Sequence, residues 1–310
     1  MSQVSISRRQ ALLTGAGLPF AAALGGSSAL QAGGHAAPTN AIHNSFALNE
    51  FQVSTLLAGT RTVGDIQTIF GMNVSAEEFA RVSAENFIPA DRSQFFFTPT
   101  VVRTGSDIVL FDTGLSAAGT LAALTASGVS AQDVTVVVLT HMHGDHIGGL
   151  TDDAGAATYP NARYVTGQVE YDHWAAAGNE RFDGKVRPFA DQMSFLKDGD
   201  SVVPGVTAMA AFGHTPGHMV YMIEAGGQQV LLMADMANHY VWSLAYPEWE
   251  VRFDMDKAAA AATRKRVLSM LAADRIPLIG YHMPFPGMGF VEEVTAGRFR
   301  YVPVTYQMML

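Results

Sequence analysis

Short apolar runs that end in clusters of polar and turn-forming residues recur through the middle of the chain. They predict an α/β protein whose functional groups sit just beyond strand ends. Residues 108–111 are apolar and stop at Asp112-Thr113-Gly114. Residues 117–126 read as a helix, with Gly128 placed for its C-terminal cap. The run 134–139 is continuous and mostly β-branched, the pattern of a strand buried on both faces, and it leads directly into Thr140 and a histidine cluster.

The alternation continues with a strand at 162–165, a helix at 169–176 and a strand at 206–211 leading to His214. Runs 219–223 and 230–233, joined at Gly226-Gly227, predict a hairpin that delivers Asp235, and 277–280 delivers His282. The alanine run 258–262, with Asp254 and Asp256 as candidate caps, continues as helix through 264–273. Phe95-Phe96-Phe97 reads as a core strand, with pocket lining as the alternative, and the 15 methionines as adaptable core filling. No long linker, charge block or tandem repeat interrupts the chain, so residues 37–310 are expected to form one domain, with 37–46 as a polar N-terminal arm.

Composition narrows the partners. The 310 residues suffice for one large core, and 48% apolar with 15% charged residues describes a globular chain. Lys plus Arg number 19 against 28 Asp plus Glu, a net charge of −9, which argues against nucleic acid and suits a neutral substrate. The absence of cysteine excludes disulfides, thiolate metal ligands and cysteine nucleophiles.

Ser7-Arg8-Arg9-Gln10-Ala11-Leu12-Leu13 looks like a twin-arginine export signal, followed by a Gly/Ala-rich apolar stretch to Leu30. Gly34 and Ala36 suit a cleavage site, so residues 1–36 are expected to be removed, with a cut nearer Ala29 as the alternative. Repeated glycines and Pro19 make the stretch a poor spanning helix. The expected protein is periplasmic or secreted, with no stable membrane insertion once the signal is gone.

The chemistry lies in five of the ten histidines: His141-Met142-His143-Gly144-Asp145-His146, then His214, and finally His282 in Tyr281-His282-Met283-Pro284, with Asp235 between the last two. Five imidazoles and two carboxylates are too many for one tetrahedral zinc and about right for two ions sharing a carboxylate. Such a pair makes water acidic enough, with a pKa of about 7, to supply hydroxide at neutral pH. His239 and His173 read as surface or hydrogen-bonded histidines, and His35 and His43 belong to the signal and the arm. Arg264-Lys265-Arg266 reads as the solvated face of a helix.

The intact H-x-H-x-D-H signature, with the other segments in order from about residue 100 to 290, resembles the metallo-β-lactamase-fold hydrolase superfamily. That resemblance implies a four-layer αββα sandwich of two mixed β-sheets flanked by helices, with the metal site at the strand ends. It implies that His141, His143 and His214 hold one metal and that Asp145, His146 and His282 hold the other, with His218, four residues after His214, set aside as a hydrogen-bonding neighbour. Asp235 would bridge the two beside a bridging hydroxide, and Asp112 would orient a ligand from below; in the hydrolysis itself, Asp145 is the candidate to carry a proton to the leaving group. Zn²⁺ is the expected ion, with Mn²⁺, Co²⁺ and Fe²⁺ as alternatives. A homodimer is also implied.

An intact Asp235 and the lack of cysteine point away from the β-lactamases and toward the lactonase, phosphotriesterase and glyoxalase II branches. Arg252-Phe253-Asp254-Met255-Asp256-Lys257 and Leu278-Ile279-Gly280-Tyr281-His282-Met283-Pro284-Phe285-Pro286-Gly287 resemble methyl parathion hydrolase and its lactone- or arylester-cleaving relatives. On that resemblance Tyr240, Trp242, Tyr246 and Phe285 become candidates for an apolar substrate pocket, against plain core packing. The expected activity is hydrolysis of small neutral lactones or aryl and carboxylic esters, including acyl-homoserine lactones. Organophosphate triester hydrolysis is the alternative. From other classes, an iron redox protein of the same fold and a structural metal-binding module remain open.

Overall fold

The computed structural model describes residues 42–305; the expected signal at 1–36 lies outside them. Strands β1 (His43–Leu48) and β2 (Phe51–Leu56) form an antiparallel hairpin, so His43 and its neighbours belong to a sheet edge and not to a polar arm. A separate two-stranded ribbon follows, β3 (Gly59–Gly64) with β4 (Arg92–Phe97), interrupted by helix α1 (Ala76–Glu85). The chain then returns through β5 (Thr100–Arg103), β6 (Ile108–Phe111), helix α2 (Ala117–Ala126) and β7 (Val136–Leu139). Helix α3 (Gly144–Ile147), β8 (Arg163–Gly167), α4 (Gln168–Ala177), α5 (Glu180–Lys185) and β9 (Met193–Leu196) complete this half.

The first sheet has the order β1-β2-β5-β6-β7-β8-β9, antiparallel as far as β6 and parallel from β6 to β9. The second half is β10 (Ser201–Val203), β11 (Val206–Ala210), β12 (Met219–Ala225), β13 (Gln228–Ala234), α6 (Lys257–Asp274), β14 (Leu278–Gly280), β15 (Met288–Thr295) and β16 (Arg298–Pro303). These strands lie side by side in chain order, with β13 and β14 the parallel pair across α6. The β12–β13 hairpin turns on Gly226 and Gly227 at φ 54° and 80°, a left-handed pair that a side chain would strain.

Alternation along the strands creates the layers. On β7, Val136 and Val138 face the second sheet, packing with Val206, Tyr221, Leu232 and Ile279. Val137 and Leu139 face the opposite way, against Ala123 and Leu124 of α2 and Phe182 of α5. The outer face of the second sheet, including Leu231, Met233 and Leu278, is covered by Val267, Leu268 and Leu271 of α6. The result is the four-layer αββα arrangement expected from the resemblance. Within the run 134–139 the strand itself, Val136–Leu139, is buried throughout because helices cover one face of the sheet and the second sheet covers the other.

The three phenylalanines do form a strand, but in the ribbon and not in either main sheet. Phe95 and Phe97 belong to a fourth apolar cluster with Phe70, Phe79, Trp242 and Trp249, which fixes the ribbon over the strand ends. Gly128, at φ 81°, follows the end of α2 as expected of a helix stop. Of the two candidate caps, only the Asp256 side chain accepts from a backbone N–H at the start of α6, Ala259 N at 2.9 Å; the Asp254 carboxylate has another task.

Candidate metal centre

Five turns at the same end of the sandwich deliver the seven predicted groups and their supports. Asp112 follows β6, the 141–146 segment follows β7, His214 follows β11, Asp235 follows β13 and His282 follows β14. All seven converge. His141, His143, His214 and Asp235 form one cluster, Asp145, His146, Asp235 and His282 a second, and within each the ligating atoms lie no more than 4.8 Å apart. Asp235 belongs to both, with Oδ1 3.2 Å from His146 Nε2 and Oδ2 3.1 Å from His282 Nε2 and 3.4 Å from His214 Nε2. Ala234, held at φ 44°, aims it; an alanine in that region is strained, as active-site backbone can be.

Each ring but one is fixed from behind. His146 Nδ1 donates to Asp112 Oδ2 at 2.8 Å, His214 Nδ1 to Asp254 Oδ1 at 3.0 Å, and His282 Nδ1 to the Phe96 carbonyl at 2.7 Å. Thr140 Oγ1 donates to Asp112 Oδ2, which leaves its lone pair to accept from His141 Nδ1 at 3.1 Å. Asp112 therefore orients two histidines, one of them through Thr140, and its left-handed φ of 60° is one that aspartate tolerates.

With Nδ1 committed as a donor, a ring in its neutral form presents a bare lone pair at Nε2. His143 Nδ1 lies 3.1 Å from His141 Nε2 and 3.0 Å from His214 Nε2, so three nitrogens face one another with at most one proton among them. In the second cluster, buried His146 Nε2 and Asp235 Oδ1 have no hydrogen-bond partner. A cation held in each cluster would satisfy these atoms. The 3.0–3.9 Å separations match the edge of a tetrahedron, about 3.4 Å, built on zinc–ligand bonds of about 2.0–2.1 Å.

The clusters differ in charge. Burial, then His146, holds His141 well below the usual histidine range, and burial with His214 brings His143 down to about 3. In the second cluster burial also opposes charge, but Asp235 outweighs it and raises His282 to about 10; Asp235 and Asp112 raise His146 in the same way. Burial raises Asp145, yet His146 and His282 carry it down to about 2. Without metal, protons occupy the place of a cation between His146, His282 and their carboxylates.

Three supports had no place among the predicted residues. Asp254 carries, besides His214, Arg264 at 2.7 Å; Arg264 is fully buried and also donates to the Pro247 and Trp249 carbonyls. This corrects the solvated-face reading, which holds only for Lys265, paired with Glu248, and Arg266. The signal was available: Arg264 shares helical spacing with Ala260, Val267, Leu268 and Leu271, the buried stripe of α6. Glu170, fully buried, accepts from Met142 N, Trp174 Nε1, Thr215 Oγ1 and Gly217 N, so one carboxylate ties the His141 turn to the His214 turn. Burial pushes its pKa up, and the four donors oppose that shift. Asn238 Nδ2 steadies Asp235 Oδ2 at 2.9 Å.

His218 is a hydrogen-bonding neighbour, its Nε2 accepting from Asp235 N. The centre opens on a cavity of about 400 Å³ walled by Ile69, Val63, Phe95, Phe97 and Phe253. Phe95 and Phe97 set their edges on the His282 ring at 5.6 and 5.5 Å. Behind the ribbon, a second cavity of about 400 Å³ holds Tyr240 and Trp242. His239 lines it too, with Nδ1 accepting from Val241 N and Trp242 N. Tyr246 instead packs on Trp249 and beneath Arg298, and half-buried Phe285 lines neither cavity.

Residues 98–277 match the sequence profile of the Metallo-beta-lactamase superfamily, and the chain belongs to that superfamily. His282 lies just beyond the matched stretch. A protein of Mycobacterium bovis named "probable metallo-hydrolase" is 28% identical over 127 residues, 36% of this chain and 40% of the relative, so the chain spans less than half of that curated relative's length. Among solved structures, the dizinc quorum-quenching lactonase AidC, seen with an N-acyl-L-homoserine product, is 25% identical with a TM-score of 0.78. The match covers 85% of this chain and 98% of AidC. AbOPH, a hydrolase described as of the beta lactamase superfamily, shares the fold at a TM-score of 0.80, 22% identity and coverage of 86% and 99%.

Two outcomes are expected. Asp254→Asn lowers metal affinity about 10–100-fold and costs about 3–5 kcal/mol of stability by leaving Arg264 buried without its partner. Metal-competition titration and denaturant unfolding of the metal-free protein measure the two effects separately. Metal binding at neutral pH releases protons from His146 and His282, both raised by their carboxylates, so apparent affinity rises as pH climbs from neutral toward the His282 value of about 10. Calorimetry in buffers of different ionisation enthalpy counts those protons.

Proposed function

We propose that this protein is a two-metal hydrolase of lactones and carboxylic esters, acyl-homoserine lactones and aryl esters among them. The observation that carries the reading is the pair of ligand clusters sharing Asp235 at the floor of an aromatic-walled cleft. His141, His143 and His214 would hold one ion, Asp145, His146 and His282 the other, and Asp235 both. Divalent cations bound there supply Lewis acidity, lowering the pKa of water to about 7 and polarising the ester oxygen. The donor set is imidazole and carboxylate, which suits Zn²⁺ first and accommodates Mn²⁺, Co²⁺ or Fe²⁺.

The chain's own residues do the rest. Asp112, Thr140, Asp254 and the Phe96 carbonyl keep the imidazoles in one tautomer and orientation. Phe95, Phe97 and Phe253 exclude bulk water and take the apolar part of the substrate. Asp145, whose side chain at 22% exposure is the most open of the acidic ligands, faces the cleft, where its ionised carboxylate would take a proton from the attacking water and pass it to the leaving oxygen. The likeness to a lactonase seen with its opened-lactone product supports a lactone over a β-lactam. A second reading, cleavage of organophosphate triesters, is favoured by the likeness of 252–257 and 278–287 to methyl parathion hydrolase; the same cleft would accept an aryl phosphotriester.

The expected tests are direct. Chelation abolishes hydrolysis of p-nitrophenyl and lactone substrates, and Zn²⁺, Mn²⁺ or Co²⁺ restores it; activity persisting after verified metal removal would overturn the mechanism. Asp235→Asn lowers turnover by orders of magnitude, and near-wild-type rates would remove its bridging role. The proposal includes export to the periplasm or beyond through the Arg8-Arg9 signal. Replacing both arginines with lysine is expected to retain the protein in the cytoplasm, read by cell fractionation.

A further inference from the structure

The cleft above the metal centre carries three arginines that its function as described leaves unused. Arg61 comes from β3 of the ribbon, Arg181 from α5, and Arg252 from the loop before α6, and all three line the cavity that holds His143, Asp145, Asp235 and His282. They reach the site from three separate elements, so no single helix face or charge run explains them. Arg181 lies against Gly144 inside the metal-binding turn, where a Cβ would collide with its guanidinium. Arg252 lies over the Phe253 ring at 5.2 Å, which holds its planar head at the cavity wall.

Their partners are what is missing. Elsewhere on the surface Arg81 pairs with Glu85, Arg187 with Asp183 and Arg300 with Glu292. Among the described residues no carboxylate pairs with Arg61, Arg181 or Arg252. Among the described residues, the only acidic side chains lining the cleft are Asp145 and Asp235, and both belong to the ligand clusters. Two divalent cations would more than neutralise them. Loaded with metal, the cleft is a cationic basin in a protein whose net charge is −9. Such a basin concentrates anions and rejects like charge, and guanidinium forks match carboxylate and phosphate oxygens.

We propose that Arg61, Arg181 and Arg252 form an oxyanion-binding rim, and that the preferred substrate is an ester or lactone carrying a carboxylate or phosphate away from the bond to be cut. The proposal rests on the hydrolase reading above and replaces the neutral substrate expected from overall composition. Net charge describes the whole surface, whereas the substrate meets the local field of the cleft. The cavity volume of about 400 Å³ leaves room for a short chain between the metals and the rim. The arginines are specificity residues: they hold the remote anion and take no part in bond cleavage.

The test compares three p-nitrophenyl esters of matched length on the metal-loaded protein: hexanoate, the adipate monoester and ω-phosphonopentanoate. At low salt, kcat/KM is expected to favour at least one anionic ester over hexanoate by about tenfold or more. The advantage should shrink as ionic strength rises and reside mainly in KM. In the Arg61→Ala/Arg181→Ala/Arg252→Ala variant the anionic-to-neutral ratio should fall to about one. Whichever anionic ester gains identifies carboxylate or phosphate as the recognised group. An anionic-to-neutral ratio of one or less in the wild type, or an unchanged ratio in the triple variant, overturns the proposal.

A binding arm separates this inference from the hydrolase reading. Calorimetry should show adipate binding the metal-loaded wild type about tenfold more tightly than hexanoate, with the difference lost in the triple variant. If no ester is cleaved but this difference holds, hydrolysis fails and the rim stands. If adipate and hexanoate bind alike, the rim fails.

Discussion

Everything at the mouth of the sandwich depends on imidazole nitrogens that cannot satisfy one another. Hydrogen bonds to Asp112, Thr140, Asp254 and the Phe96 carbonyl commit four Nδ1 atoms as donors, and those bonds set the tautomers. The consequence is a set of inward-facing nitrogens, packed 3.0–3.1 Å apart around His143. Buried lone pairs facing one another are costly unless a cation lies between them. The same constraint explains the charge asymmetry. Burial holds His141 and His143 well below the usual histidine range, while the carboxylates around the second cluster raise His146 and His282.

Much of this was legible from residue order alone. The run 134–139 could only be a strand covered on both faces, and the Gly226-Gly227 pair could only be a tight turn, because backbone sterics leave few alternatives. The seven clustered groups were visible because short-range spacing and turn position already constrain where strand ends point. Asp254 and Glu170 were not visible, since each acts across 40 or more residues on a neighbour that only tertiary packing supplies. Arg264 shows the intermediate case. Its helical phase with Ala260 and Leu271 placed it on the buried stripe, but a basic triplet suggested solvent. The Phe95-Phe96-Phe97 strand was recognisable as a strand, while its location outside both sheets followed from contacts with α1 and the 240–245 turn.

The ribbon β3–β4 has two faces because strand side chains alternate. Phe95 and Phe97, with Arg61 and Val63 across the pair, look into the metal cleft; Gln94 and Phe96, with Thr62, look into the cavity behind. One short ribbon thus sets both the apolar wall and part of the charge at the cleft. His282 joins the two regions, its ring gripped by the edges of Phe95 and Phe97 and its Nδ1 by the Phe96 carbonyl.

The clustered groups come from both halves of the sandwich. His141, His143, Asp145 and His146 extend from the first sheet, and His214, Asp235 and His282 from the second. In a chain without cysteine, two coordinated ions would therefore act as removable staples, fastening sheet to sheet at one end by bonds that form without an oxidant. Such a fastening can be set once, after the sheets have met. It would also make the open end of the sandwich the first place to loosen in a metal-poor surrounding.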